Sequence, residues 1–338
     1  MSGSQDVSWP LALRMLNAAI CSYQIREKGV EPSHGKPISR HVTNDRGEVI
    51  YDVVPAYQDA VGFIESSESY TPAFTATGPE RIDAALCGKT NDGYAVLSFR
   101  GTLAPNIGHH DLREWLEDWL YDADAKPTPW HPDGVRKGEV EAGFAKAFDA
   151  LWPWIEDQLS DLLSSCPNGL LITGHSKGAA MTFLAASKIR DRWPALDRRI
   201  AVYAFAPPVA GDAEFARTYG TLAQTTYRFQ AADDLVPFLP RWDAYDFWGH
   251  VHLSNFVEQD AWCLLKKWID KITRPGYSAV GSMFFLPVDG PVDGSPNAAE
   301  KALDLVVTSL EGGHLERVGD AHSAVHSYLP KVRAAAAS

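Results

Sequence analysis

The sequence predicts an α/β fold with a mostly parallel central sheet, and two observations carry that prediction. Strand-like apolar runs alternate with helical runs along the 338-residue chain, as in Arg199–Phe205, Asp212–Tyr219 and Thr225–Gln230. This spacing is typical of βαβ units and hence of a parallel sheet. The second observation is Leu170–Ala180, where an apolar strand stops abruptly at a serine and a helix starts at once. Because parallel sheets carry their chemistry at the carboxyl ends of their strands, this junction is the candidate site.

The junction contains a G-x-S-x-G motif, Gly174-His175-Ser176-Lys177-Gly178. A serine in a strained strand-to-helix turn needs glycine on either side, because a Cβ there would meet the strand or the helix. The turn presents Ser176 Oγ at a helix N-terminus, where the helix dipole favours developing negative charge. We therefore predict that Ser176 is a nucleophile. A chance motif in a loop is the alternative, and the apolar segments on both sides argue against it.

Upstream of the junction the sequence predicts an N-terminal helix and then a β-hairpin. Ser8 is suited to cap the helix, and Pro10 falls in its first turn. The hairpin strands, Glu80–Cys87 and Tyr94–Arg100, flank the turn signal Asn91-Asp92-Gly93. The second strand is apolar along nearly its whole length, which is typical of a central strand that is buried on both faces.

Three further helices are predicted before the junction, over Pro55–Glu68, Asp111–Tyr121 and Phe144–Leu163. A short strand at Val140–Phe144 precedes the last of them. Pro153 lies inside this long helix and should bend it or break it into two, because proline has no backbone N–H to donate.

The C-terminal part predicts a helix over Phe256–Ile272, a strand over Tyr277–Leu286 and a helix over Ala298–Leu310, with a last element from about Asp320. There is no internal repeat and no flexible interdomain linker. We therefore predict one domain over residues 1–338.

The composition limits the kinds of partner and compartment. A net charge of −12 and a pI of about 5.3 argue against nucleic acid and offer no basic stripe for anionic membranes. No run approaches the roughly 18 apolar residues of a transmembrane helix. The N-terminal segment has neither a basic region nor a cleavage site, and the cysteines are widely spaced. These features predict a cytoplasmic location, with export by a route without a cleavable signal as the alternative. The oligomeric state stays open.

A serine nucleophile needs a base and an orienting carboxylate. In α/β-hydrolases the chain order is serine, acid, histidine, so both partners are sought downstream. Asp234 directly follows a predicted strand, with Asp233 as its rival. His322 lies at a loop-to-helix junction after the last predicted strand, and His326 follows one helical turn later.

The reaction also needs two hydrogen-bond donors for an oxyanion. One is the backbone N–H of Lys177, which directly follows the serine. Thr102 is the candidate for the other, because it follows a buried strand and a glycine.

A set of segments in this order resembles the class 3 lipases, the fungal-lipase-like α/β-hydrolases. The segments are VLSFRGT, EAGF, ITGHSKGAA, FAPPVAGD, YRFQAADDLVPFLP, YSAVG and a late HS…Y. The resemblance implies an α/β-hydrolase fold, to which this chain is expected to add a helical insertion after the triad-acid loop. It identifies Ser176, Asp234 and His322 as the triad, and it identifies Thr102 and Lys177 as the oxyanion hole. A bacterial-type member is expected.

The chain departs from the family pattern at two site positions and in one connection. Lys177 replaces the usual leucine after the nucleophile, which adds a cation or a long stem to the pocket. Asp233 replaces the usual asparagine before the acid. The connection over 241–276 is longer than usual and is a candidate cap, which competes with a candidate lid over 102–117.

The resemblance implies a lipase that cleaves acylglycerol esters through an acyl-enzyme and needs no cofactor. An esterase, a phospholipase or a thioesterase is the alternative within catalysis, and a non-catalytic binding protein is the alternative outside it. The expected partner is a lipid or small ester, with transient contact to a lipid interface. The pairs His109-His110 and His250-x-His252 lack further ligands at recognisable spacing, so no metal is predicted.

Overall fold

The computed structural model describes residues 7–23, 71–77, 80–90, 92–102, 126–239, 276–295, 297–311, 317 and 320–338. The predicted helices over Pro55–Glu68, Asp111–Tyr121 and Phe256–Ile272 lie outside this part of the chain. Of the candidate lid only Thr102 is described, and of the candidate cap only Gly276. The division into one domain with a lid and a cap therefore stays a prediction.

Among the described residues, one seven-stranded sheet has the order β1-β2-β3-β6-β7-β8-β9, and β4 and β5 form a separate pair. The strands are β1 Thr71–Thr77, β2 Glu80–Lys89, β3 Tyr94–Phe99, β4 Pro127–Pro129, β5 Glu139–Glu141, β6 Gly169–His175, β7 Ile200–Phe205, β8 Thr226–Ala231 and β9 Ser282–Leu286. Strands β3, β6, β7, β8 and β9 pair in parallel, whereas β1, β2 and β3 are joined antiparallel at one edge. The predicted α/β fold with a mostly parallel sheet is confirmed.

Helices cover both faces of this sheet. The helices are α1 Trp9–Ser22, α2 Ala142–Ser165, α3 Lys177–Arg192, α4 Ala213–Tyr219, α5 Ala298–Glu311 and α6 Leu329–Ala337. Alternate residues of a strand point to opposite faces. In β6, Leu170 and Ile172 accordingly join one apolar cluster with α2 and α3, while Leu171 joins another with α1 and α6. The sheet is thus buried on both sides, as its apolar strands predicted.

The predicted elements around the sheet are mostly confirmed. Helix α1 begins after Ser8, whose Oγ accepts a hydrogen bond from the Leu11 N–H at 3.4 Å. The hairpin turns at Gly93, which has a positive φ of 83°. Asp212 caps α4, its Oδ1 accepting from the Phe215 N–H at 2.7 Å.

Other details differ from the predictions. Helix α2 runs unbroken through Pro153, so the predicted break into two is wrong. Packing of its buried face against the sheet on both sides of the proline compensates for one missing hydrogen bond. The last strand begins at Ser282 rather than Tyr277, because Gly281 turns the chain with a positive φ of 77°. Strands β1 and β4 had no clear sequence signal.

Candidate active site

Ser176 lies on the tight turn between β6 and α3, as the motif predicted. It has φ 60° and ψ −132°, a backbone conformation that few non-glycine residues adopt. Two positions in this turn have room only for glycine. A Cβ on Gly174 would lie 2.5 Å from the Gly178 carbonyl, and a Cβ on Gly178 would lie 2.4 Å from the Phe99 carbonyl oxygen. Both glycines are required because the helix start packs directly on the turn and on the end of β3.

Replacing Gly178 with alanine is expected to destabilise the protein by roughly 1–3 kcal/mol or more. In an ordinary helix this change is stabilising, so the sign reverses here because the new Cβ would overlap the β3 backbone. Thermal unfolding measures the effect. Gly134→Ala is the control. Gly134 has a positive φ of 80° and nothing within 4 Å of an added Cβ, so this variant measures backbone strain without steric overlap. A Gly178→Ala protein that melts at or above the wild-type temperature contradicts the packing described here.

The structure brings Ser176, His322 and Asp234 together in one hydrogen-bonded line. His322 Nε2 lies 2.8 Å from Ser176 Oγ. His322 Nδ1 lies 3.0 Å from Asp234 Oδ2 and 3.1 Å from Oδ1. All three residues are buried, and Asp234 is fully so. A carboxylate can only accept, so Nδ1 carries the proton and Nε2 is left to accept the serine hydroxyl proton.

Asp234 is held by groups from two other elements. The Val236 N–H donates to its Oδ1 at 3.0 Å, and the Tyr328 hydroxyl donates to its Oδ2 at 2.6 Å. The Tyr328 hydroxyl in turn accepts from the Ala231 N–H at 3.0 Å. Burial, together with the negative charge of Asp234, raises the pKa of Tyr328 well above its usual value, so its hydroxyl stays a donor. The tyrosine of the late HS…Y pattern was the sequence signal for this residue, but no role was assigned to it.

Asp233 and His326, the alternatives to Asp234 and His322, make their contacts away from Ser176. Asp233 Oδ1 accepts from Ser309 Oγ at 2.8 Å, and its Oδ2 lies 3.3 Å from Arg317. His326 is exposed, and its backbone N–H donates to Ser323 Oγ at 3.1 Å. Geometry therefore favours Asp234 and His322 as the partners of Ser176.

The two predicted oxyanion donors lie on adjacent strand ends. β3 and β6 are paired in parallel with Phe99 opposite Gly174, so both chains leave the sheet side by side toward Thr102 and Lys177. Lys177 is the first residue of α3, where backbone N–H groups have no partner within the helix. Thr102 Oγ1 is buried without a hydrogen-bond partner among the described residues. Both positions suit the donation that was predicted for them.

The Lys177 side chain does not add a free cation, contrary to one expectation from the sequence. Its Nζ lies 3.0 Å from Asp83 Oδ1 of β2, and the two side chains are only 6 % and 2 % exposed. The carboxylate compensates the ammonium charge in a buried pair. Asp83 was missed because it is remote in sequence and belongs to no motif.

His175 packs against His322 and does not compete with it as the catalytic base. Its Nδ1 lies 2.8 Å from the Tyr23 hydroxyl at the end of α1, and its ring packs 4.8 Å from that of His322 between centroids. Burial, and then the neighbouring His322, lowers the pKa of His175 well below its usual value. His175 therefore stays neutral at physiological pH and does not repel a protonated His322.

Among the described residues there is neither a candidate metal site nor a helix that could span a membrane. They contain no group of three or more His, Cys, Asp or Glu side chains placed to hold a metal ion. In the same part of the chain, the helices are too short or too polar to cross a membrane.

The parallel sheet, the strained serine turn and the Ser–His–Asp line define an α/β-hydrolase. Residues 96–244 match the family described as Lipase (class 3). Over these residues the chain is therefore similar to the class 3 lipases.

Named relatives agree with this assignment. The secreted mono- and diacylglycerol lipase A of Penicillium cyclopium is 29 % identical over 199 residues, which are 58 % of this chain and 54 % of the relative. A lipase of Caenorhabditis elegans is 33 % identical over 158 residues, 44 % of this chain and 41 % of the relative. The chain thus spans about half the length of the curated relatives it matches.

Solved structures show the same fold. A mutant form of MDLA from Penicillium cyclopium matches with a TM-score of 0.54 at 18 % identity, covering 90 % of this chain and 92 % of that one. A structure titled for an unusual buried polar cluster in a family of fungal lipases matches with a TM-score of 0.53 at 19 % identity, covering 97 % and 96 %. At this identity the likeness concerns the fold alone.

The comparisons also correct one prediction. A cytoplasmic location is wrong, because matching relatives from Penicillium and Gibberella zeae are named secreted lipases, which points to an extracellular location. Composition and cysteine spacing were weak guides, since a folded domain with buried thiols is stable in either compartment. The named relatives are fungal, nematode and plant proteins, and they do not support the expectation of a bacterial-type member.

Proposed function

We propose that this protein hydrolyses carboxylic esters of lipids, with acylglycerols as the main substrate class. The observation that carries the proposal is the unbroken line from Ser176 Oγ through His322 to Asp234, with a 2.8 Å contact at the serine. Such a line is what a hydroxyl needs to become a nucleophile. The relatives named as mono- and diacylglycerol lipases support the choice of substrate.

The geometry supports a two-step mechanism. His322 Nε2 takes the Ser176 proton as Oγ attacks the ester carbonyl, and the backbone N–H groups of Thr102 and Lys177 stabilise the oxyanion. His322 then returns the proton to the leaving alcohol oxygen, and the ester C–O bond breaks to leave an acyl-serine. Water attacks this acyl group, with His322 again as base, and releases the fatty acid and the free serine. Asp234 holds the imidazole tautomer throughout, and no step needs a cofactor.

We propose that access to the site is controlled by the candidate lid and the candidate cap. The candidate lid over 102–117 begins at Thr102, so its movement would carry an oxyanion donor with it. The candidate cap over 241–276 follows the triad-acid loop. Transient contact with a lipid interface would favour an open lid, because the apolar inner face of a lid is then covered by lipid.

Fluorophosphonate labelling tests the proposal, since it reports an activated serine whatever the substrate. The wild-type protein is expected to label at Ser176 and Ser176→Ala not to label, with both melting at similar temperatures. Lack of labelling in the folded wild-type protein would favour the non-catalytic binding alternative.

Substrate assays then separate the catalytic alternatives. Emulsified mono-, di- and triolein are expected to be cleaved faster than phosphatidylcholine vesicles or short soluble esters. Phosphatidylcholine as the better substrate would indicate a phospholipase, which the 29 % identity to an Arabidopsis thaliana phospholipase A(1) makes the second candidate. Preference for short esters or acyl thioesters would indicate an esterase or a thioesterase.

A further inference from the structure

The buried ion pair between Lys177 and Asp83 is not used in the mechanism above. Lys177 Nζ and Asp83 Oδ1 are 3.0 Å apart, and neither side chain is more than 6 % exposed. Burying two charges costs free energy that their attraction only partly returns, so such a pair is weak evidence for stability. Its location next to the nucleophile calls for another explanation.

The pair connects the two sides of the proposed oxyanion hole. Lys177 directly follows Ser176 and begins α3. Asp83 lies on β2, beside the end of β3, because the Arg100 N–H donates to the carbonyl of the neighbouring Ala84 at 3.0 Å. Ala85 pairs with Phe99 and Ala84 is hydrogen-bonded to Arg100, so Asp83 adjoins the stretch of chain that leads to Thr102.

The end of β3 lies between the two charged residues. A Cβ on Gly178 would come within 2.4 Å of the Phe99 carbonyl oxygen and 2.8 Å of the Arg100 carbonyl carbon. The start of α3 is therefore in direct contact with the end of β3. The ion pair spans this contact and ties α3 to the strand on the far side of β3.

We propose that the Lys177–Asp83 pair is a positioning device that fixes the two oxyanion donors relative to each other. This inference rests on the proposed function and deepens it. Donors to an oxyanion act only when they are held close to the required geometry. A buried ion pair has little freedom to rearrange, so it restrains the Lys177 N–H on one side and the chain leading to Thr102 on the other. Asp83 and the Lys177 ammonium are positioning groups rather than catalytic ones.

Three variants test the proposal: Lys177→Met, Asp83→Asn and the double variant. Turnover of p-nitrophenyl butyrate is measured per active site, with sites counted by fluorophosphonate titration. We expect each single change to lower kcat by about 10- to 100-fold, somewhat less than the loss of a whole oxyanion donor, while KM changes little. Affinity for a trifluoromethyl ketone, which forms a tetrahedral adduct with serine, should fall in parallel.

Two further variants separate positioning from simple stability. Lys177→Arg keeps the charge and should restore most of kcat. Lys137→Met removes a partly buried ion pair with Asp191 at the other end of α3, and it should lower the melting temperature without changing kcat per site. If a single variant does not fold, the double variant decides, because it removes both charges of the pair together.

The outcomes distinguish this inference from the proposed function. Wild-type kcat per site and wild-type ketone affinity in Lys177→Met, or in the double variant, overturn the positioning role while leaving the esterase mechanism intact. A wild-type protein that neither labels nor turns over the ester contradicts the proposed function and this inference with it.

Discussion

His322→Ala is expected to lower kcat for ester hydrolysis by at least about 10⁴-fold, because the base that activates the serine is lost. His322 Nε2 is the group placed 2.8 Å from Ser176 Oγ, and no other described imidazole is shown bonded to that hydroxyl. Substrate binding does not use this side chain, so KM should change far less than kcat. Steady-state hydrolysis of a soluble ester, with single-turnover acylation as a second readout, measures the effect.

His326→Ala is the matched control for this experiment. His326 is exposed on the short π-helix over Ala324–Tyr328 that follows His322, and its contact with Ser323 uses the backbone N–H, which alanine keeps. Its kcat should stay within about threefold of wild type, as is usual for surface substitutions. The reverse pattern, with activity lost at His326 and kept at His322, would mean that the C-terminal segment is placed in the wrong register.

Asp234→Asn is expected to lower kcat by about 10⁴-fold while leaving the protein folded. An asparagine amide donates toward His322 Nδ1, which moves the imidazole proton to Nε2. That nitrogen can then no longer accept the Ser176 proton. The amide oxygen can still accept from Val236 N–H or Tyr328 OH, so the loop should keep its conformation. Comparing kcat with the melting temperature separates the tautomer effect from unfolding.

Asp233→Asn provides the control at the adjacent position. Asp233 faces Ser309 and Arg317 rather than His322, and asparagine keeps an acceptor for the serine hydroxyl. We expect a lower melting temperature, because the ion pair is lost, and a kcat within about threefold of wild type. Equal losses of kcat in the two variants would show that the acid is shared or wrongly assigned.

Local sequence patterns were sufficient for most of the fold that the described residues show. The turn signal at Gly93, the capping residue Ser8 and the apolar strands all act through neighbours in sequence, so their structural consequences could be predicted. Pro153 shows the limit of such reasoning. Its local cost is real, but the buried face of α2 packs against the sheet along its length, and tertiary packing outweighs one hydrogen bond.

The residues of the site also fall into those that sequence patterns identified and those that only the folded chain revealed. The elbow motif marked Ser176, and chain order with the family resemblance marked Asp234, His322, Thr102 and Lys177. Their catalytic roles stay predictions until the variants are measured. Tyr328 was not assigned as a hydrogen-bond donor to Asp234, because it reaches the acid from an element that packs against it only in the folded chain.

The sequence by itself determined the fold class, the strained serine turn and a short list of partners for it. These follow from hydrophobic periodicity and from the steric demands of a strand-to-helix turn, which act over a few residues. The family resemblance favoured Asp234 over Asp233 and His322 over His326, but only the tertiary structure showed that Asp234 and His322 lie in line with Ser176 and that the Lys177 ammonium pairs with Asp83. Each of those outcomes depends on which groups meet within about 3 Å across elements that are distant in the chain. Local sequence patterns do not specify such contacts, because they arise when helices and strands pack against one another.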